Sequence, residues 1–198
     1  NDQRQPFGSY FRLRRQALLG HGSNDIVLPV VPGSKYLSYV SGYVDEASDP
    51  GRPTITYTFA DLKRLSDKLA NLFTAKGLER GERVGILMSQ SVEAAISHVA
   101  AWKMAAVSIP LFTLFGEDAL KFRLQNAGAR MLVTDTENLP KIEAIRDELP
   151  DLRSILVVDL GSGDGSLIDF WGAMEKASDS FTPVETSCED PSFICYTS

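Results

Sequence analysis

From residue 58 onward the chain switches between two hydrophobic periods. Leu62, Leu65, Leu69, Leu72 and Phe73 recur at spacings of three and four, one apolar stripe on a helix. Lys63, Arg64, Asp67 and Lys68 fall on its other sides. Thr58 with Asp61 three residues on gives this helix a capping box, and Gly77 gives it a stop. Arg83-Val84-Gly85-Ile86-Leu87-Met88 follows, nearly continuous in apolar residues rather than alternating. Such runs suit strands covered on both faces. Ala105-Ala106-Val107-Ser108-Ile109-Pro110, Arg130-Met131-Leu132-Val133-Thr134 and Ser154-Ile155-Leu156-Val157-Val158-Asp159 repeat the pattern. Helical stretches separate them. One covers residues 92–104 with Ser91 as its cap, and one covers 117–126 with Leu120 and Leu124 on one side. A third covers 139–149 with Ile142, Ile145 and Leu149 turned inward. Strands alternating with helices predict right-handed βαβ units and an α/β fold, a mainly parallel sheet flanked by helices.

The flanks read differently. Tyr39-Val40-Ser41-Gly42-Tyr43-Val44 and Thr54-Ile55-Thr56-Tyr57-Thr58 surround the turn cluster Ser48-Asp49-Pro50-Gly51-Arg52-Pro53, which predicts an N-terminal β-hairpin. Residues 1–38 form an irregular lead-in broken by Gly20, Gly22, Pro29, Pro32 and Gly33. Residues 39–198 form the body. After the fourth apolar run, Gly161-Ser162-Gly163-Asp164-Gly165 lacks the spacing of a dinucleotide fingerprint and reads as a surface loop. A short helix is expected over residues 167–177, a polar linker over 179–191, and a last strand over 192–196.

Composition narrows the function classes. The 198 residues are 43% hydrophobic and 23% charged, which fits a soluble globular protein with a real core. The net charge of −6 and pI near 5.0 argue against a nucleic-acid partner. That charge is uneven. Residues 1–40 hold Arg4, Arg12, Arg14, Arg15 and Lys35 against Asp2 and Asp25, so the lead-in is basic at +3 and the remainder carries −9. No apolar run approaches the ~20 residues of a membrane span. Cys188 and Cys195 are too few for a disulfide framework or a zinc site, and a reducing cytoplasmic setting is expected. The chain starts at Asn1 and stops at Thr197-Ser198 in what reads as a strand exit. It is therefore expected to be part of a longer protein.

Few side chains suggest chemistry one by one. His98 sits in an Ala-rich helix and His21 in a Gly-rich stretch, and neither reads as a metal ligand or acid–base group. Cys195 reads as a core thiol in a strand and Cys188 as a bystander in the linker. Trp102 and Met104 read as core. Lys141 and Arg146 read as a solvated helix face. Residues 112–115 place aromatic side chains just past a strand, on the edge where open α/β sheets bind ligands.

Four stretches in register carry a resemblance. Thr56-Tyr57-Thr58-Phe59-Ala60-Asp61-Leu62, Gly81-Glu82-Arg83-Val84-Gly85-Ile86-Leu87, Ala100-Ala101-Trp102-Lys103-Met104-Ala105-Ala106-Val107-Ser108-Ile109-Pro110-Leu111 and Ile194-Cys195-Tyr196-Thr197-Ser198 resemble, in order, four motifs of the AMP-forming acyl-CoA synthetases, the adenylate-forming enzymes. Pro110-Leu111-Phe112-Thr113-Leu114-Phe115-Gly116 resembles the acetyl and medium-chain members, and disfavours a peptide-synthetase adenylation domain. The likeness runs from about residue 39 to 198. Two departures stand out: Ala105 replaces the family's Gly, and Ser89 replaces a Pro. If position 105 needs positive φ, Ala there costs about 1 kcal/mol or more.

The resemblance implies the first part of the family's AMP-binding N-terminal domain. Such enzymes activate a small carboxylic acid with ATP and Mg²⁺ to an acyl-adenylate, then pass it to CoA. Thr197 and Ser198 would open the Gly-rich phosphate loop, where backbone amides and hydroxyls meet phosphate oxygens. The other reacting groups would lie beyond Ser198, so no catalytic residue is assigned, and the chain alone is expected to be inactive. A sheet cut within its domain is also expected to self-associate through its exposed edge. A stand-alone binding or scaffold protein is the alternative of a different class.

Overall fold

The computed structural model describes residues 43–45, 55–161 and 167–196. The lead-in, His21, the turn cluster at residues 48–53, most of the Gly-rich stretch and Thr197-Ser198 lie outside them. A short antiparallel pair comes first, β1 (Tyr43–Asp45) and β2 (Ile55–Tyr57), with Val44 opposite Thr56. Helix α1 (Phe59–Ala75) follows. The Thr58 Oγ accepts from the Asp61 amide at 3.1 Å, and the Asp61 carboxylate accepts from the Thr58 amide at 3.1 Å, which completes the expected capping box. The Thr58 hydrogen bonds hold the Asp61 carboxyl below its usual value.

The main sheet has five parallel strands in the order β4-β3-β5-β6-β7. They are β3 (Arg83–Leu87), β4 (Val107–Leu111), β5 (Ala129–Asp135), β6 (Ser154–Val158) and β7 (Leu167–Asp169). Helices α2 (Val92–Lys103), α3 (Glu117–Ala127) and α4 (Leu139–Glu143) connect them, and α5 (Phe170–Glu175) follows β7. Because side chains alternate along a strand, Val84, Ile86, Met131, Val133, Leu156 and Val158 face α1, α2 and α5. Leu87, Leu132, Ile155 and Val157 face α3 and α4. On that second side Gly85 brings β3 close to α3: a Cβ there would stand 2.8 Å from Leu132 and 3.0 Å from Leu124.

Four expectations need correction. The stretch 139–149 is no single helix: α4 ends at Glu143 and a 3₁₀ turn, Arg146–Glu148, follows. Residues 167–177 begin as strand β7, because the chain adds a sheet edge before turning into α5. The predicted strand over residues 192–196 is one parallel bridge, Phe193 opposite Ser108 on β4. Asp67, placed on the outer side of α1, is buried at 1% exposure.

Asp67 is inside because of Lys103, the last residue of α2. Their charged atoms are 2.6 Å apart, with the side chains 1% and 3% exposed. The Lys103 ammonium donates to Asp67 Oδ1, to Ser66 Oγ at 2.7 Å and to the Lys63 carbonyl at 3.2 Å, so all three protons have acceptors. Burial pushes the Lys103 pKa down, and the Asp67 carboxylate opposes that shift. The pair rivets α1 to α2 beneath the sheet. Lys103→Met is expected to lower stability by about 3 kcal/mol, because the buried Asp67 carboxylate keeps only the exposed Lys63 ammonium, 2.7 Å from its other oxygen, as a charge partner. The double variant with Asp67→Leu is expected to recover most of that loss, as read by urea unfolding.

The turn after α2 fulfils the condition set for position 105. Ala105 has φ of 56°, in the left-handed region, and is 4% exposed. Its amide donates to the Trp102 carbonyl, and the Ala106 amide to the Ala101 carbonyl, a Schellman stop. Helix α1 ends by the same bonds, from Gly77 to Thr74 and from Leu78 to Phe73, with Gly77 at φ 78°. Two equivalent stops thus differ in one methyl group. Gly77→Ala is expected to cost about 1 kcal/mol, and Ala105→Gly to add roughly 0.5–1 kcal/mol, measured by thermal and urea unfolding.

Candidate functional site

All five strands of the main sheet are parallel, so their C-terminal ends share one edge. That edge is where open α/β sheets take ligands. The loops there are tied to one another. The Asp135 carboxylate accepts from the Asn138 amide at 2.8 Å, and Lys141 donates to the Thr113 carbonyl at 2.5 Å and to Asn138 Oδ1 at 3.1 Å. At the opposite edge, where β6 begins, Arg146 donates to the Leu152 carbonyl at 2.7 Å. Lys141 and Arg146, read from sequence as a solvated face, are therefore loop tethers, each only partly exposed.

The terminal segment runs to the same edge because it joins β4 in parallel. Ser108 donates its amide to the Ser192 carbonyl at 3.1 Å and accepts the Ile194 amide at 3.0 Å. Side chains do the rest of the holding. The Trp102 indole donates to the Ser192 carbonyl at 2.8 Å and to Ser108 Oγ at 3.1 Å. Tyr196 donates its hydroxyl to Asn126 Oδ1 at 2.8 Å, with the Arg123 carbonyl 3.2 Å away. Partial burial raises the Tyr196 pKa, and the Arg123 charge opposes that rise. The Arg123 guanidinium lies 4.1 Å from the Phe115 ring centroid and 5.6 Å from that of Tyr196. Tyr196, the last described residue, thus lies beside the loop of residues 112–115.

In that loop Phe112 is 68% and Leu114 is 96% exposed, and Phe122 on α3 is 59% exposed beside Tyr196. Phe115 meets Phe112 edge to face at 5.5 Å. The sequence expectation of aromatic side chains at this edge holds.

Other candidates land elsewhere. Cys195 is exposed rather than in a core strand, since the segment makes one bridge and not a full ladder; Cys188 is exposed as well. Met104 is core. Trp102 is half-buried, and its indole nitrogen serves as a clamp that the sequence reading did not anticipate. Lys103 and Asp67 were missed as a pair, because each lies in an unremarkable stretch of its own helix. Among the described residues, no group of three or more His, Cys, Asp or Glu could hold a metal ion. Among them, no helix is long and apolar enough to cross a membrane.

Known proteins match this chain over most of the described region. The model of the family described as "AMP-binding enzyme" matches residues 43–198. The mitochondrial acyl-coenzyme A synthetase ACSM4 of Mus musculus is 30% identical over 168 residues, which is 84% of this chain and 27% of that protein. The acetyl-coenzyme A synthetase of Halorhodospira halophila is 32% identical over 155 residues, 71% of this chain and 24% of that protein. Among solved structures, an anthranilate CoA ligase in complex with anthranoyl-AMP aligns with a TM-score of 0.70 at 27% identity. It covers 73% of this chain and 28% of that one. An acyl-CoA synthetase of Brucella canis aligns with a TM-score of 0.67 at 28% identity, covering 74% and 27%. The chain spans about a quarter of the length of these relatives.

The clamp on the terminal segment can be tested directly. Trp102→Phe keeps a ring against β4 but removes the donor to Ser192. It is expected to lower the exchange protection of the Ile194 amide about tenfold, the worth of one net hydrogen bond. Amides of β3 and β5 are expected to keep theirs, as read by hydrogen–deuterium exchange.

Proposed function

The chain belongs to the AMP-binding enzyme family, and from that premise we propose that it is the first part of an AMP-forming carboxylate–CoA ligase. The observation that carries the reading is the course of the terminal segment. It joins β4 in parallel and runs out at the edge of the sheet that gathers the strand C-termini. Thr197 and Ser198 follow directly. On this reading they open a loop whose backbone amides and hydroxyls hold phosphate oxygens of ATP.

The reaction has two steps. A substrate carboxylate oxygen attacks the α-phosphorus of ATP, the bond to the bridging oxygen breaks, and pyrophosphate leaves. The CoA thiolate then attacks the acyl carbon, and AMP leaves with the electrons of the acyl–oxygen bond. Phosphate-binding groups act by stabilising charge on the departing pyrophosphate. Mg²⁺ would arrive with the nucleotide, and no cluster among the described residues is suited to hold it. The exposed Phe112 and Leu114 give the acyl or pantetheine portion an apolar wall next to the exit. A small acid, from acetate to medium chain length, is the proposed substrate class. It rests on the 110–116 stretch.

Two measurements test this. The 198-residue chain is expected to show no carboxylate-dependent exchange between ATP and pyrophosphate; exchange by the purified chain would overturn its proposed inactivity. The coding DNA is expected to continue in frame past Ser198 into Gly-Thr-Thr-Gly, and the extended protein to show that exchange. A stop codon directly after Ser198 would instead favour a binding or scaffold protein.

A further inference from the structure

His98 lies one helical turn before Trp102 on α2, so both rings reach the terminal segment. The imidazole centroid is 5.8 Å from that of Trp102 and 6.2 Å from that of Phe193. Its Nδ1 is buried and has no hydrogen-bond partner among the described residues. Buried polar atoms are seldom left so, and an apolar seat of this kind accepts a neutral ring far better than a charged one. Burial moves the pKa from 6.5 to about 4 and is the sole cause of the shift.

The ionisable groups on the surrounding elements are occupied elsewhere. On α2, Glu93 accepts from the Trp171 indole and Lys103 is paired with Asp67. In the segment leading to Phe193, Asp190 pairs with Arg80 and Glu189 accepts from the Cys188 thiol. Beyond Phe193, Cys195 is exposed and the Tyr196 hydroxyl is bound to Asn126. Strand β4 carries no ionisable side chain.

The geometry points to His98 as an acid-sensitive latch: its neutral imidazole keeps Phe193 and the following segment on the edge of β4, and its protonated form lets them go. His98 is half-buried, with its Nδ1 covered; lifting Phe193 opens that side of the ring to water and returns it to ordinary basicity, so proton binding favours the open form. The latch is fully closed above pH 6.5 and weakens as pH falls from there toward 4. Linkage between those values makes opening about tenfold more favourable at pH 5.5 than at pH 7.5. The consequence for a phosphate loop rests on the reading of Thr197 and Ser198 proposed above, whereas the latch itself does not.

Hydrogen exchange of the Ile194 amide and the Trp102 indole N–H tests it on the 198-residue chain, from pH 7.5 to 5.5, corrected for intrinsic exchange. The expected result is a loss of protection of about tenfold at both groups, with β5 amides unchanged. His98→Gln and His98→Phe are expected to abolish the pH step. His21→Gln, which changes the one other histidine of the chain, is expected to keep it. A pH-independent Ile194, or a step that persists in His98→Phe, overturns the proposal. If both substitutions at 98 prevent folding, titration of the His98 ring proton by NMR in the unaltered chain decides. A midpoint far below 6.5 that tracks Ile194 supports the latch, and a midpoint near 6.5 with Ile194 unmoved overturns it. No nucleotide is present, so a negative result leaves the ligase reading standing, and a stop codon after Ser198 leaves the latch standing.

Discussion

A parallel sheet cannot leave either face in water, and that constraint shapes the rest of the domain. Parallel strands need crossovers, and the crossovers bring helices to both faces. Here α1, α2 and α5 cover the face of Val84, Ile86 and Val133, while α3 and α4 cover the face of Leu87, Leu132 and Val157. The same connectivity sends every strand's C-terminal end to one edge. The placement of a candidate site at that edge is thus a consequence of how the sheet is covered, fixed before any functional side chain is considered.

The C-terminal turn of α2 is where several parts of the fold meet. Lys103 binds Asp67 and holds α1. Its carbonyl accepts the Val184 amide at 2.8 Å and holds the linker. Trp102 holds Ser192 and so the terminal segment. Ala105 then takes a left-handed backbone to redirect the chain into β4. Local strain is tolerated there because packing on both sides over-determines the turn. A helix end with so many dependants also explains how His98, one turn back, comes to lie beside Phe193, nearly a hundred residues away in sequence.

The terminal segment has the opposite character. A single bridge to Ser108, the Trp102 and Tyr196 hydrogen bonds, and ring contacts at Phe193 and Tyr196 are among the interactions that hold residues 192–196. Such contacts open at lower free energy than a full ladder.

Much of this was legible in the chain. Continuous apolar runs marked β3 to β6, and the Thr58–Asp61 box marked the start of α1, because burial on both faces and capping leave local signatures. Four motifs in register carried the family likeness. Most of the misses share one cause; the break of residues 139–149 into α4 and a 3₁₀ turn is a local exception. Asp67 and Lys103 look like ordinary charges on their own helices, and only the approach of α1 to α2 buries them together. The segment 192–196 has strand-like residues, but its pairing depended on how much of β4 it could reach. Trp102 and His98 read as core or bystander until Phe193 returned beside them. Hydrophobic period and backbone propensity are local, so the sequence alone determined α1 to α3, β3 to β6, their order and the parallel arrangement. Which polar groups met across 36 or 90 residues was decided by packing, because a contact between distant residues exists only once the sheet has brought their helices and edges together.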